Sequence, residues 1–184
     1  TEDRVLYLSF DDGPHPEATP FVLEQLAIFN AKASFFCIGK NVQLYPDIYA
    51  ALTEANHTVG NHTQNHMNGW GNNTANYIDD IQQATKSIRS NLFRPPYGRI
   101  RFAQIKALRS DPSLPQDIIM WDVLSGDFDT TITGDQCAQN VIQHAGPGSI
   151  IVFHDSAKAM DRLKVALPKV LAHFSQLGYQ FKAL

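Results

Sequence analysis

Only two cysteines, Cys37 and Cys137, occur in 184 residues, so no disulfide framework holds this chain together. Cys37 falls in a strand-like apolar run and Cys137 in a helix-like one, and both are expected to be free, packed as small hydrophobes. No apolar run is long enough to span a bilayer, and no signal peptide is visible. The first residue is Thr1 rather than Met, as expected of a trimmed or processed product. Neither sign of charge dominates: 15 Lys and Arg face 18 Asp and Glu, a formal net charge of -3. That balance gives no electrostatic case for nucleic acid or an anionic membrane surface. Internal repeats and linkers are also lacking. What is present, 43% hydrophobic and 18% charged residues, suits one soluble globular domain over residues 1–184 with a sizeable core. Asn-x-Thr sequons stand at Asn56, Asn61 and Asn72 and are weak as glycan acceptors.

Short apolar runs alternate with helical patterns. The spacing predicts strands over Val5–Phe10, Ala33–Ile38, His57–Asn61, Leu92–Arg94, Asp117–Val123, Ser149–Phe153 and Tyr179–Leu184. Helices are predicted over Ala18–Asn30, Asn41–Ala55 (interrupted by Pro46), Asn73–Ser90, Phe102–Arg109, Gly134–His144 and Met160–Leu177. Continuously apolar strands alternating with helices imply a parallel sheet covered on its far side. Both an open doubly wound sheet and a closed barrel satisfy this. Seven strands in so short a chain favour a distorted (β/α)7-type barrel, with ligands at the carboxyl ends of the strands.

Chemistry collects at those ends. Asp11-Asp12-Gly13-Pro14, His62 with His66, Arg94 to Tyr97, Asp127 and His154-Asp155 each follow a different predicted strand, so all should face one mouth. Neighbours on an extended backbone point to opposite sides, which predicts different tasks for the two adjacent acids: one binds a cation while the other moves a proton. His62 and His66, four apart, would share one face of a helical turn. With Asp12 they make a His2Asp set with open positions, suited to Zn2+ and also to Co2+, Ni2+ or Mn2+. Arg94, stiffened by Pro95-Pro96, would keep Asp11 ionised if buried beside it. His154, at a strand end among polar groups, suits proton transfer, whereas His144 and His173 sit in helix patterns. Trp70 and Trp121 are candidate sugar-stacking groups, with a structural place in the core of the fifth strand expected first for Trp121.

These residues resemble the polysaccharide deacetylases that share the chitooligosaccharide deacetylase domain, carbohydrate esterase family four. Ser9-Phe10-Asp11-Asp12-Gly13-Pro14 is similar to the family's first motif, His62-Thr63-Gln64-Asn65-His66 to its second, and Arg94-Pro95-Pro96-Tyr97-Gly98 to its third. Asp127-Phe128 and Val152-Phe153-His154 fall where the fourth and fifth stand. The resemblance covers essentially the whole chain. It implies one divalent ion on Asp12, His62 and His66, Asp11 as general base held by Arg94, and His154 as general acid tuned by Asp127. It also implies an oxyanion contact from the Tyr97 backbone N–H, with Pro95, Tyr97, Phe128 and Val152 about the substrate. Phe128 and Val152 replace the family's Trp and Leu around the acetyl methyl, so the reaction type is kept while substrate preference can differ.

The implied reaction removes acetyl groups from a polysaccharide or oligosaccharide, foremost from N-acetylglucosamine units of cell-wall glycan or a chitin-like chain. A polymeric substrate would mean a secreted, periplasmic or cell-envelope protein; no protein partner is implied. An O-acetyl esterase acting on acetylated xylan is the alternative. A metallophosphoesterase, suggested by Gly60-Asn61-His62, commonly needs ligands for two metals, and only one triad is present. A non-catalytic carbohydrate-binding domain on the same scaffold would be favoured were Asp11 or His154 missing.

Overall fold

The computed structural model describes residues 3–184; Thr1 and Glu2 lie outside them. The central strand is β1, Val5–Asp11, buried along its length except at Tyr7. It runs parallel to β2, Ala33–Cys37, on one side and to β7, Ile150–His154, on the other, with Asp11 in register with both Phe36 and His154. Beyond β2 follow β3, Thr58–Asn61, β4, Leu92–Phe93, and β5, Asp117–Ile118; beyond β7 comes β6, Val123–Leu124. Every pairing is parallel, so all carboxyl ends lie at one rim. A last short strand, β8, Gln180–Phe181, pairs with the start of β1 at the opposite rim.

The alternation along β1 sets up the site. Leu8 and Phe10 enter the core, where Phe10 stacks on Phe35 at 5.0 Å and Phe153 at 6.0 Å. Ser9 and Asp11 point the other way and meet a single guanidinium, that of Arg94. Among the described residues seven α-helices surround the sheet: α1 Ala18–Ile28, α2 Gly39–Leu44, α3 Pro46–Glu54, α4 Thr74–Thr85, α5 Phe102–Ser110, α6 Gly134–His144 and α7 Met160–Gln176. Pro46 divides the predicted second helix in two, standing at the first position of α3, where its missing N–H costs nothing.

The predicted strand over Asp117–Val123 is not one strand. Its ends pair with opposite edges of the sheet, β5 with β4 and β6 with β7, and Ile119–Asp122 bridges the gap between them. This seam makes the barrel imperfectly closed. Both cysteines are buried and unpaired. Asn61 is fully buried and bonds Ile81 O and Thr63 N, so its sequon cannot accept a glycan in the folded chain.

Candidate active site

The carboxyl ends of β1, β3, β4 and β7, with the loop after β6, enclose a cleft of about 440 Å³. Asp11, Asp12, His62, His66, Tyr97 and His154 all line it. The adjacent acids do not diverge as extended neighbours would. Asp12 has left the strand with φ 81, and this turn brings both carboxylates to the same cleft. His62 Nε2 lies 4.0 Å from Asp11 Oδ2 and 3.7 Å from Asp12 Oδ1.

His62 and His66 converge, but not on a helical turn. Thr63 and His66 take left-handed conformations, φ 63 and 56, and fold the loop so that the rings sit 5.2 Å apart. The loop is fixed from behind by the buried carboxylate of Asp80, which accepts Gln64 N–H and Asn65 N–H, each at 3.0 Å. His62 Nδ1 donates to the Arg94 carbonyl at 2.7 Å, which leaves Nε2 facing the acids with a free lone pair. Burial lowers the His62 pKa and keeps the ring neutral, as a ligand must be. Tyr97 packs its ring on His66 at 4.6 Å.

One ligand atom each from Asp12, His62 and His66 can be chosen so that all lie within 4.8 Å of one another. Asp12 Oδ1 is buried and meets the imidazole nitrogens rather than a backbone or hydroxyl donor: His66 Nε2 stands 3.1 Å away and His62 Nε2 3.7 Å. An orphaned carboxylate oxygen facing two imidazole nitrogens fits a divalent cation by ligand type and number. Burial alone would raise the Asp12 carboxyl, but His66, His62 and His154 outweigh it and hold the group down to about 2.

Arg94 is fully buried at 0% exposure, and each guanidinium nitrogen has a task. Nη1 binds Ser9 Oγ and Asp11 Oδ1, both at 2.8 Å, Nε reaches Ile119 O at 3.2 Å and Nη2 reaches Met120 O at 3.3 Å. The guanidinium lies 4.0 Å from the Phe36 ring centroid and 5.7 Å from that of Trp121. Across the cleft His154 Nδ1 donates to Asp127 Oδ1 at 2.7 Å, while Asp127 Oδ2 accepts the His154 backbone N–H at 2.8 Å. Burial would lower the His154 pKa, but the bond and charge of Asp127, aided by Asp11 and Asp12, raise it to about 9. Arg162 on α7 secures the pair from outside, donating to the Asp127 carbonyl at 2.6 Å.

The apolar wall of the cleft includes Phe128, edge-on to His154 at 5.4 Å, and Val152, with Leu124 and Trp121 beside them. Trp121 is thus not in a strand core; it is half-buried in the seam and lines the cleft, packed close to Gly98. Pro95 is buried and does not line the cleft. Trp70 also stands outside the lining, 56% exposed on the 3-10 turn Gly69–Gly71, with the Arg99 guanidinium 5.2 Å from its ring centroid. Arg99 and Lys158, which sequence reasoning passed over, line the cleft and form no ion pair among the described residues. Nothing in the sequence marks these two cations apart from others, because only the fold brings these exposed side chains to the rim of the cleft.

The model of the family described as polysaccharide deacetylase matches residues 1–111. A peptidoglycan N-acetylglucosamine deacetylase of Bacillus cereus is 30% identical over 185 residues, which span 97% of this chain and 85% of that one. A chitooligosaccharide deacetylase of Azorhizobium caulinodans is 32% identical over 157 residues, 82% of this chain and 73% of its own. Among solved structures, a crystal structure of a peptidoglycan N-acetylglucosamine deacetylase superposes with a TM-score of 0.90 at 29% identity, covering 100% of this chain and 87% of that one.

Proposed function

Because the chain belongs to the polysaccharide deacetylase family, we propose that this cleft hydrolyses acetyl groups from N-acetylglucosamine units of a glycan, releasing acetate. One observation carries the reading: a triad fit for one cation stands between an arginine-held carboxylate and a carboxylate-held histidine. Asp12, His62 and His66 would hold a divalent ion, Zn2+ foremost, with one catalytic domain spanning residues 1–184. When bound, that ion supplies a Lewis acid for the acetyl carbonyl and acidifies the attacking water.

The chain's own groups do the rest. Asp11, held by Arg94 Nη1 at 2.8 Å, takes the proton of the attacking water. Tyr97 has φ 61, and among the described residues its N–H meets no acceptor, so it is free to donate to the developing oxyanion. His154, protonated at neutral pH and oriented by Asp127, gives its proton through Nε2 to the leaving nitrogen. The apolar patch of Phe128, Val152 and Leu124 suits the acetyl methyl.

Two features bear on the glycan. Arg99 and Lys158 add two positive charges to a cleft whose own acids are matched by Arg94 and the triad's cation. This favours a carboxylate-bearing cell-wall glycan over neutral chitin or xylan. A polymer of that kind implies work outside the cytoplasm; no helix among the described residues is long and apolar enough to cross a membrane. The test is acetate release from peptidoglycan fragments, chitooligosaccharides and acetylated xylan, beside phosphate release from phosphoesters, with chelator-treated protein as control. Phosphate release without acetate release would replace this reading by the phosphoesterase.

A further inference from the structure

Asp155 follows His154 directly, is fully buried at 0% exposure, and has no part in the chemistry proposed above. Its polar atoms converge on one turn. Oδ1 accepts the Gly13 N–H at 3.0 Å, the Asp155 backbone N–H donates to the Asp11 carbonyl at 3.1 Å, and Oδ2 accepts the Thr19 hydroxyl at 2.5 Å. Thr19 Oγ1 itself accepts the His15 N–H at 2.8 Å, tying the start of α1 into the same network. A Cβ at Gly13 would lie 2.1 Å from Asp155 Oδ2, so glycine is required here by close approach of that carboxyl. From the other side Asn41 Nδ2 donates to the Asp12 carbonyl at 2.8 Å.

The Asp12–Gly13 peptide is therefore held through both of its polar groups, the C=O by Asn41 and the N–H by Asp155. A planar peptide gripped at both ends cannot rotate, and its orientation sets the backbone from which the Asp12 side chain leaves. That restraint matters because Asp12, at φ 81, occupies a region unfavourable to a residue with a Cβ and would relax if released. We propose that Asp155 is a positioning residue of the metal centre: with Asn41 it clamps the Asp12–Gly13 peptide and so aims the Asp12 carboxylate at His62 and His66. The proposal rests on reading Asp12 as a metal ligand. Asp155 forms no ion pair among the described residues, and burying a carboxyl without one is costly, which a merely space-filling role would not call for.

The test is titration of chelator-treated protein with Co2+, followed by its visible absorption, alongside thermal unfolding of the metal-free protein. Asp155→Ala should weaken Co2+ about tenfold or more and change the band shape, as loss of a group supporting a ligand does. Asp155→Asn keeps an acceptor for Gly13 N–H and should stay within about threefold of the parent, since the clamp and not the charge is at issue. Asn41→Ala frees the other end of the same peptide and should weaken Co2+ in the same direction, which keeps the test available should Asp155→Ala fail to fold. Lower melting temperatures with parental Co2+ affinity and spectrum in folded Asp155 and Asn41 variants would overturn the proposal, leaving Asp155 as packing alone. An Asp155→Asn loss as large as that of Asp155→Ala would overturn it too. Asp12→Ala separates the two levels: if it binds Co2+ as the parent does, the ligand assignment fails; if only it loses Co2+, the clamp fails.

Discussion

Asp11 and Asp12 share a cleft yet have different neighbours, and the neighbours divide the labour. Asp11 has a permanent cation at 2.8 Å and is oriented for proton transfer; Asp12 offers an unpaired oxygen to two imidazoles. Asp11→Asn should therefore retain the metal, measured by elemental analysis, while kcat falls about 100-fold or more. Asp12→Asn should lose metal occupancy, and the reverse pattern would exchange the two roles. At His154 the sign of the pH effect follows from a pKa raised to about 9 in the folded state. The stabilisation from its carboxylate neighbours, Asp127 foremost, is full below the ordinary value of 6.5 and disappears as pH rises through 9, about 3 kcal/mol at most for all of them together. Asp127→Asn should therefore cost less stability at pH 10 than at pH 6 by denaturant unfolding. In the loaded enzyme a cation offsets the contribution of Asp12, so the alkaline limb of kcat should fall between 6.5 and 9 and move lower in Asp127→Asn. An unmoved limb would remove His154 as the acid.

At the scale of elements, one side chain ties the barrel seam to the central strand. Arg94 leaves the end of β4, reaches Ser9 and Asp11 on β1, and binds the carbonyls of Ile119 and Met120 in the bridge between β5 and β6. Arg94→Met should destabilise the fold by about 3–5 kcal/mol in denaturant unfolding, because it strands Asp11 buried without its partner. A loss under 1 kcal/mol, on the order of an exposed pair, would mean that Asp11 relaxes into solvent. The parallel strands, the helices and the convergence of five polar groups were legible because buried strands read as apolar runs and their ends carry the polar exceptions. The seam was not, since Ile118–Trp121 is an unbroken apolar run and periodicity cannot tell that the two ends of the segment pair with opposite edges. Trp121 was placed in a core for the same reason. The convergence of His62 with His66 was foreseen by spacing but for the wrong geometry, because left-handed Thr63 and His66 carry no composition signal as glycine would. Asp155 was noted at a strand end, but its hold on the turn, like that of Asn41, escaped because it acts on backbone groups of Gly13 and Asp12, invisible until the chain is folded.

For the whole molecule, a formal charge of -3 conceals a cleft rimmed by Arg99 and Lys158. Replacing both with Ala should raise KM for carboxylate-bearing glycan fragments about tenfold and leave KM for neutral chitooligosaccharides within about twofold. Equal effects on both would remove charge from the account of substrate choice. The core of stacked Phe10, Phe35 and Phe153 lies on the far side of β1 from the triad, so chelation should abolish turnover while circular dichroism shows the fold intact. The central claim, a single cation acting with Asp11 and His154, is tested most directly by adding Zn2+ stepwise to chelator-treated protein and measuring acetate released from an N-acetylglucosamine oligomer. Activity should rise linearly and level off at about one ion per chain, the capacity of one three-ligand site. A plateau reached only at two ions per chain, or full acetate release before any is added, would contradict it.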